Sequence, residues 1–261
     1  MSASEVTRSL DIQVRGAMLT ITEWPDRCDE STTVWDAGLI LAHYLAAGRG
    51  GAWSSKLSGL RAIDLGAGTG LVGLTAAACG ADVVLTDLSE CLDTLRINAA
   101  ANASTIAALG GGRVDVMPLR WGDTLAAQRC RDVGSDGRGF DLVLCGDCMY
   151  HTGDAPEQLV DTVRGLLASQ PGAIAPTVLV SNERRILTQT VVGNTKPLHD
   201  AQERACLELF RKSFDVATIP LDDQHEYYHN AQVELWNLVW PTAREGGVDP
   251  SGQVADKLAD R

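Results

Sequence analysis

Residues 143–151, VLCGDCMYH, carry three overlapping patterns that could do chemistry. Cys145 and Cys148 have the C-x-x-C spacing of a redox pair or of half a zinc site, and His151 extends the run toward a metal pattern. The same residues place Asp147 and Tyr150 in a D-x-x-Y spacing just past an apolar run. A carboxylate and a phenol at the end of a strand can orient a polar substrate group. Further along, HEYYH at 225–229 spells H-E-x-x-H, which binds zinc only where a helix brings both imidazoles to one face.

The metal readings lack their supporting residues. A structural zinc needs four ligands, and the chain has no second C-x-x-C. Cys145 and Cys148 flank a strand end, where alternation points side chains to opposite faces. Pro220 and two aspartates precede His225, and a strand-like run follows His229, so HEYYH reads as a hairpin loop. We expect no metal. His225, Tyr227, Tyr228 and His229 then either line a substrate entrance or form plain loop surface.

A stronger signal is DLGAGTG, residues 64–70. Gly66, Gly68 and Gly70 permit a tight turn and a close approach of ligand to backbone, and the helix that follows offers its amide groups to an anion. A dinucleotide fingerprint is G-x-G-x-x-G; here the spacing is G-x-G-x-G, with Leu71 at the third glycine's place. Asp64 would repel a pyrophosphate and suits a ligand with an ammonium group, such as the amino-acid end of S-adenosylmethionine. Asp87 ends the next strand, where an acid accepts hydrogen bonds from ribose hydroxyls; its plainer role is to cap LSECL.

Around these motifs the pattern is regular. LDIQVRGAMLTITEW reads as a β-hairpin, and STTVWDAGLILAHYLAAG as a helix capped by Ser31 or Thr32 and stopped by Gly48. GRGGAWSSKLSG reads as a loop. From Leu60 onward short apolar strands alternate with helices, the pattern of a mostly parallel sheet covered on both faces. The third strand connects to the fourth, FDLVLCGD, through the glycine-rich VGSDGRG. Nothing helical separates FDVATIP from AQVELWNLVW, so the last strand runs antiparallel. Residues 1–30 form an N-terminal extension with the hairpin, 31–241 one domain, and 242–261 a polar, disordered tail.

A formal charge of -12 makes the chain a poor match for a phosphate backbone and a better one for basic protein segments. No stretch is long and apolar enough to span a membrane. Seven scattered cysteines, 28, 79, 91, 130, 145, 148 and 206, suit reduced thiols in a cytosolic or nuclear compartment.

VWDAGLILAHYL, IDLGAGTGLVGLTAAACGADVVLTDL, LRINAAAN, RWGD, LVLCGDCMYH and VSNERR occur in the order seen in one group of seven-strand methyltransferases. Over roughly residues 10–240 the chain resembles the family-16 lysine methyltransferases, the methyltransferase-like 21 relatives. The resemblance implies a Rossmann-like α/β sheet with an antiparallel seventh strand and S-adenosylmethionine as cofactor. It implies that Trp35 lies against the cofactor's methionine end, Gly66, Ala67 and Gly68 pass beneath its amino-acid portion, Asp87 takes the ribose and Trp121 packs on adenine. Gly146 would leave room beside the cofactor, with Asp147 and Tyr150 bordering the target amine. The implied reaction is methylation of a lysine in a non-histone protein such as a chaperone, an AAA ATPase or an elongation factor. Where the family has an aromatic residue before its E-R-R-like block, this chain has Ser181-Asn182. Two other classes stay open: a small-molecule methyltransferase on the same fold, and a cofactor-binding interaction protein without catalysis.

Overall fold

Strands β3 (Arg61–Leu65), β4 (Asp82–Asp87) and β6 (Leu142–Gly146) bury almost every residue, the polar Arg61, Asp64 and Thr86 included. Such strands need cover on both faces, and the sheet around them has it. The computed structural model describes residues 6–26, 30–47, 52–134, 139–149, 153–167, 175–184, 188–191, 194–197 and 200–241. With β5 (Val114–Pro118), β7 (Thr177–Glu183), β10 (Asp215–Thr218) and β11 (Val233–Val239), these strands form a seven-stranded sheet in the order β10-β11-β7-β6-β3-β4-β5. The pairs from β7 to β5 are parallel, while β11 runs antiparallel to both of its neighbours. The expected seven-strand fold class is the observed one.

Helices α1 (Asp36–Ala47), α3 (Leu71–Ala78) and α4 (Leu92–Ala108) share one hydrophobic cluster. Helices α5 (Thr124–Asp132), α6 (Ala155–Leu166) and α7 (Asp200–Arg211) contribute to a second. The chain winds outward from β3 through β4 and β5, then returns to β6 on the other side of β3. Open α/β sheets bind ligands at such a reversal, outside the carboxyl ends of the strands. Here those ends are Leu65 and Gly146.

The N-terminal hairpin, β1 (Arg8–Val14) and β2 (Ala17–Glu23), buries Ile12, Val14, Leu19 and Ile21 in the first cluster. Two asparagines of α4 substitute for a further strand at the edge of β2. Asn102 Oδ1 accepts from the Thr20 N–H, and its Nδ2 donates to the Thr20 carbonyl, both at 2.9 Å. One turn earlier Asn98 does the same with Thr22, and its Nδ2 also donates to the Thr69 carbonyl at 2.9 Å. LRINAAAN thus ties the extension to the glycine loop.

Three local expectations need correction, and one further element appears. The helix expected from Ser31 or Thr32 begins at Asp36, because Glu30–Thr32 close a separate 3-10 turn. The segment read as the loop GRGGAWSSKLSG contains a short helix, α2 (Ala52–Lys56). Between the third and fourth parallel strands stands α5, which the glycines of VGSDGRG obscured. Its signals were present: Asp123 Oδ1 accepts from the Ala126 N–H at 2.9 Å, and Arg129 and Arg131 stand in the last turn. Buried Arg61 completes it, donating from Nη2 to the carbonyls of Cys130, Arg131 and Val133. A small hairpin of β8 (Thr188–Val191) and β9 (Asn194–Pro197) was not foreseen. Gly48 and the tail from residue 242 lie outside the described residues.

Candidate functional site

The glycine loop leaves β3 at Leu65 and enters α3 at Leu71. Gly66 and Gly68 have φ of 62° and 54°, backbone conformations that side chains disfavour. A Cβ on Gly68 would also lie 3.2 Å from the Ser31 carbonyl oxygen. Asp87 fixes the loop from β4: Oδ2 accepts from the Gly68 N–H at 2.8 Å and Oδ1 from the Leu88 N–H at 2.7 Å. Its role is therefore wider than capping the helix that follows.

Asp64 is 1% exposed, and its Oδ2 accepts from the Gly73 N–H in α3 at 2.9 Å. Burial, reinforced by the Asp87 charge and opposed by the Gly73 N–H, pushes its carboxyl up from 3.8 to about 7. A buried acid of this kind favours a cationic neighbour, which would restore its charge.

The opposite wall is the carboxyl end of β6. Gly146 sits close against α1: a Cβ there would lie 3.5 Å from the Gly38 Cα and 3.4 Å from Val72 Cγ2. Asp147 follows with φ 60°, 5% exposed, its N–H donating to the Ser181 carbonyl at 2.8 Å. Its Oδ1 accepts from the Glu183 N–H at 3.2 Å, so β7 holds the carboxyl in place. Non-glycine residues with positive φ are uncommon and gather at functional positions.

The left-handed turn at Asp147 also corrects the cysteine geometry. Cys145 and Cys148 do not diverge: both lie in the second hydrophobic cluster. A hydrogen bond with the Cys145 thiol, together with burial, raises the Cys148 thiol well above its ordinary value. Cys148 Sγ also donates to the Leu65 carbonyl at 3.1 Å. HEYYH forms no helix. His225 Nδ1 accepts from the N–H groups of Tyr227 and Tyr228, and His229 Nδ1 meets the His225 carbonyl at 2.9 Å. Among the described residues no group of His, Cys, Asp and Glu is arranged to hold a metal ion.

The two walls enclose a cavity of about 560 Å³, within the range of about 300–1,000 Å³ usual for small-molecule sites. Trp35, Asp64, Gly66, Ala67, Gly68, Asp87, Trp121, Gly146 and Asp147 all line it. Trp35 is 40% exposed and donates from its indole N–H to the Glu30 carbonyl at 3.0 Å. Trp121 borders Gly66, where a Cβ would lie 3.5 Å from Cζ2. Tyr150 lies outside the described residues. Leu88, Leu119, Arg120 and Gln158, none of them a residue expected at the site, also line the cavity. Leu88, Leu119 and Arg120 follow the carboxyl ends of β4 and β5, so the strand-end rule that placed Asp147 points to them as well. Ser181 and Asn182 instead sit buried behind Gly146, where Asn182 Nδ2 donates to Glu203 Oε2 of α7 at 3.0 Å.

A family model described as "Lysine methyltransferase" matches residues 14–195. The chain is 38% identical over 127 residues to the protein N-lysine methyltransferase METTL21A of Danio rerio, covering 48% of this chain and 50% of that protein. It is 35% identical over 136 residues to EEF1A lysine methyltransferase 3 of Mus musculus, covering 52% and 51%. In each case the match spans about half the length of the relative. A 16S rRNA N2 G1207 methyltransferase from T. thermophilus, solved with AdoMet and guanosine, shares the fold at a TM-score of 0.55 and 16% identity, covering 90% of this chain and 51% of that one.

Proposed function

This chain belongs to the lysine methyltransferase family, and on that premise we propose that it transfers a methyl group from S-adenosylmethionine to a lysine amine of a non-histone protein. One observation carries the reading: a glycine loop braced by Asp87, with Asp64 before it tied to α3, and a buried, left-handed Asp147 face each other across one cavity.

The residues present fit the cofactor. Asp64 supplies an anion for an ammonium group, the backbone at Gly66–Gly68 admits a ligand closely, Asp87 accepts from ribose hydroxyls, and Trp121 offers an aromatic face to the base. Bound there, S-adenosylmethionine supplies an electrophilic methyl on a sulfonium. The chain's task is to align the amine with that methyl and to exclude water.

A lysine amine attacks only when neutral, and deprotonation from a pKa near 10.4 costs roughly 4–5 kcal/mol at pH 7. Desolvation in the cavity and a neighbouring positive charge both lower that cost. Asp147, anchored by Glu183 and Ser181, receives the arriving ammonium and orients it; for Tyr150 the family resemblance implies an aromatic wall or a hydrogen-bond partner. Asp147 is a positioning anion rather than an obligatory base, since a nearby carboxylate also raises the lysine pKa.

An elongation factor is one candidate target, supported by the mouse relative's name. The test incubates the protein and labelled S-adenosylmethionine with a methylation-depleted lysate, followed by mass spectrometry of any labelled band. Label on a lysine of a protein supports the reading. Label confined to the low-molecular-weight fraction favours a small-molecule methyltransferase, and no label at all rejects catalysis.

A further inference from the structure

The loop between β10 and β11, residues 219–232, is ordered by its own hydrogen bonds yet holds large apolar groups in solvent. Gln224 is buried and donates to the Ile219 carbonyl, and His225 Nδ1 gathers the Tyr227 and Tyr228 amides. Tyr228 stacks on His43 of α1, with ring centroids 3.5 Å apart and planes at 5°. In that fixed frame Tyr227 is 77% exposed, and Leu221 and Tyr228 are each 44% exposed. Between them stand the exposed carboxylates of Asp222 and Asp223, and residues 219–232 contain no Lys or Arg.

Two routes through the fold measure how far this surface lies from the cavity. β11 begins at Val233 opposite Glu183, at the carboxyl edge of the sheet, and is two strands from β6; at about 4.8 Å per strand this is about 10 Å from Asp147. Along α1, Gly38 lies beside Gly146, where a Cβ would come within 3.5 Å of it, and His43 is five residues further, about 7.5 Å at a rise of 1.5 Å per residue. An extended peptide covers about 10 Å in three residues.

Resting on the proposed lysine transfer, we propose that the loop is a docking surface for a basic segment of the protein substrate, contacting residues about two to four positions from the methylated lysine. The exposed tyrosine faces take the stems and cationic heads of Lys or Arg, and the aspartates supply the opposing charge. The formal charge of -12 favours the same class of partner at longer range. The nearby cation Arg184 does not oppose it, because it is ion-paired with Glu234.

The test compares wild type with Tyr227→Ala and with Asp222→Asn/Asp223→Asn in the labelled-lysate reaction at limiting lysate protein. Band intensity is expected to fall roughly three- to tenfold in each variant, with recovery at high lysate concentration. Cofactor affinity and thermal midpoint should stay unchanged. Raising salt from about 50 to about 300 mM should weaken labelling by wild type more than by the aspartate variant. Full labelling by both variants, or a labelled lysine with no basic residue within four positions, overturns the docking surface alone. A change in sedimentation instead of labelling overturns it in favour of self-association. Absence of any wild-type band overturns the proposed transfer, and the docking surface with it.

Discussion

Replacing Asp64 by Asn should strengthen the free protein and weaken its hold on the cofactor at the same time. Asn keeps an acceptor for the Gly73 N–H but cannot ionise. In the native fold the carboxyl of Asp64 titrates at about 7 rather than 3.8, a displacement equivalent to about 4 kcal/mol at 1.36 kcal/mol per pH unit. The sign follows from proton binding. Between pH 3.8 and about 7 the folded chain retains a proton that the unfolded chain has lost. Stability therefore falls as pH rises through that window and is lowest, as far as this group is concerned, above it. Urea unfolding of the cofactor-free protein should show Asp64→Asn close to wild type at pH 4. At pH 8 the variant should be more stable, by up to about 4 kcal/mol. Calorimetry should show S-adenosylmethionine bound about tenfold or more weakly by the variant, the loss expected for a charged hydrogen bond. Wild type should also release a proton on binding near pH 7, as the ammonium restores the carboxylate. A variant no more stable than wild type at pH 8, or one that binds the cofactor undiminished, would refute the assignment of Asp64.

Asn98 and Asn102 separate a structural from a functional effect. Asn98→Ala strands the Thr22 amide and carbonyl and the Thr69 carbonyl, a cost of about 3 kcal/mol, and should loosen cofactor binding through the glycine loop. Asn102→Ala, whose partners are Thr20 and the Asn98 carbonyl, should lower the melting temperature but leave cofactor affinity unchanged. His43, 7% exposed, is held down to about 4 by burial and by the charge of His225. The unfolded chain protonates near 6.5 and the folded chain does not, so acidification from 6.5 to about 4 removes about 3 kcal/mol of stability. His43→Phe keeps the stack on Tyr228 and should flatten that acid slope in denaturant titrations relative to wild type.

The core strands and their order were readable because a parallel sheet buried on both faces leaves apolar runs with few rivals. The glycine loop was readable because its left-handed backbone fixes residue type and spacing. Helix α5 carries its own cap and basic last turn, but the glycines after it read as a loop, and its C-terminal carbonyls are satisfied by Arg61, a residue of β3 distant in sequence. The approach of Cys148 to Cys145 was hidden because strand alternation ceases at Asp147, and nothing local in sequence announces its φ of 60°. Likewise the start of α1 depends on a 3-10 turn packed over Gly68, not on the Ser and Thr that resemble caps.

Asp147→Asn separates the positioning of the target amine from cofactor binding. Asn tolerates the left-handed backbone and keeps an acceptor for the Glu183 N–H while removing the charge. In the labelled-lysate reaction read by tandem mass spectrometry, wild type should place methyl on a lysine Nζ of a protein. The variant should bind S-adenosylmethionine within a few-fold of wild type while its transfer rate falls about a hundredfold or more. Transfer by Asp147→Asn at the wild-type rate would remove Asp147 from the reaction, and wild-type label on anything other than a protein lysine would rule out lysine transfer.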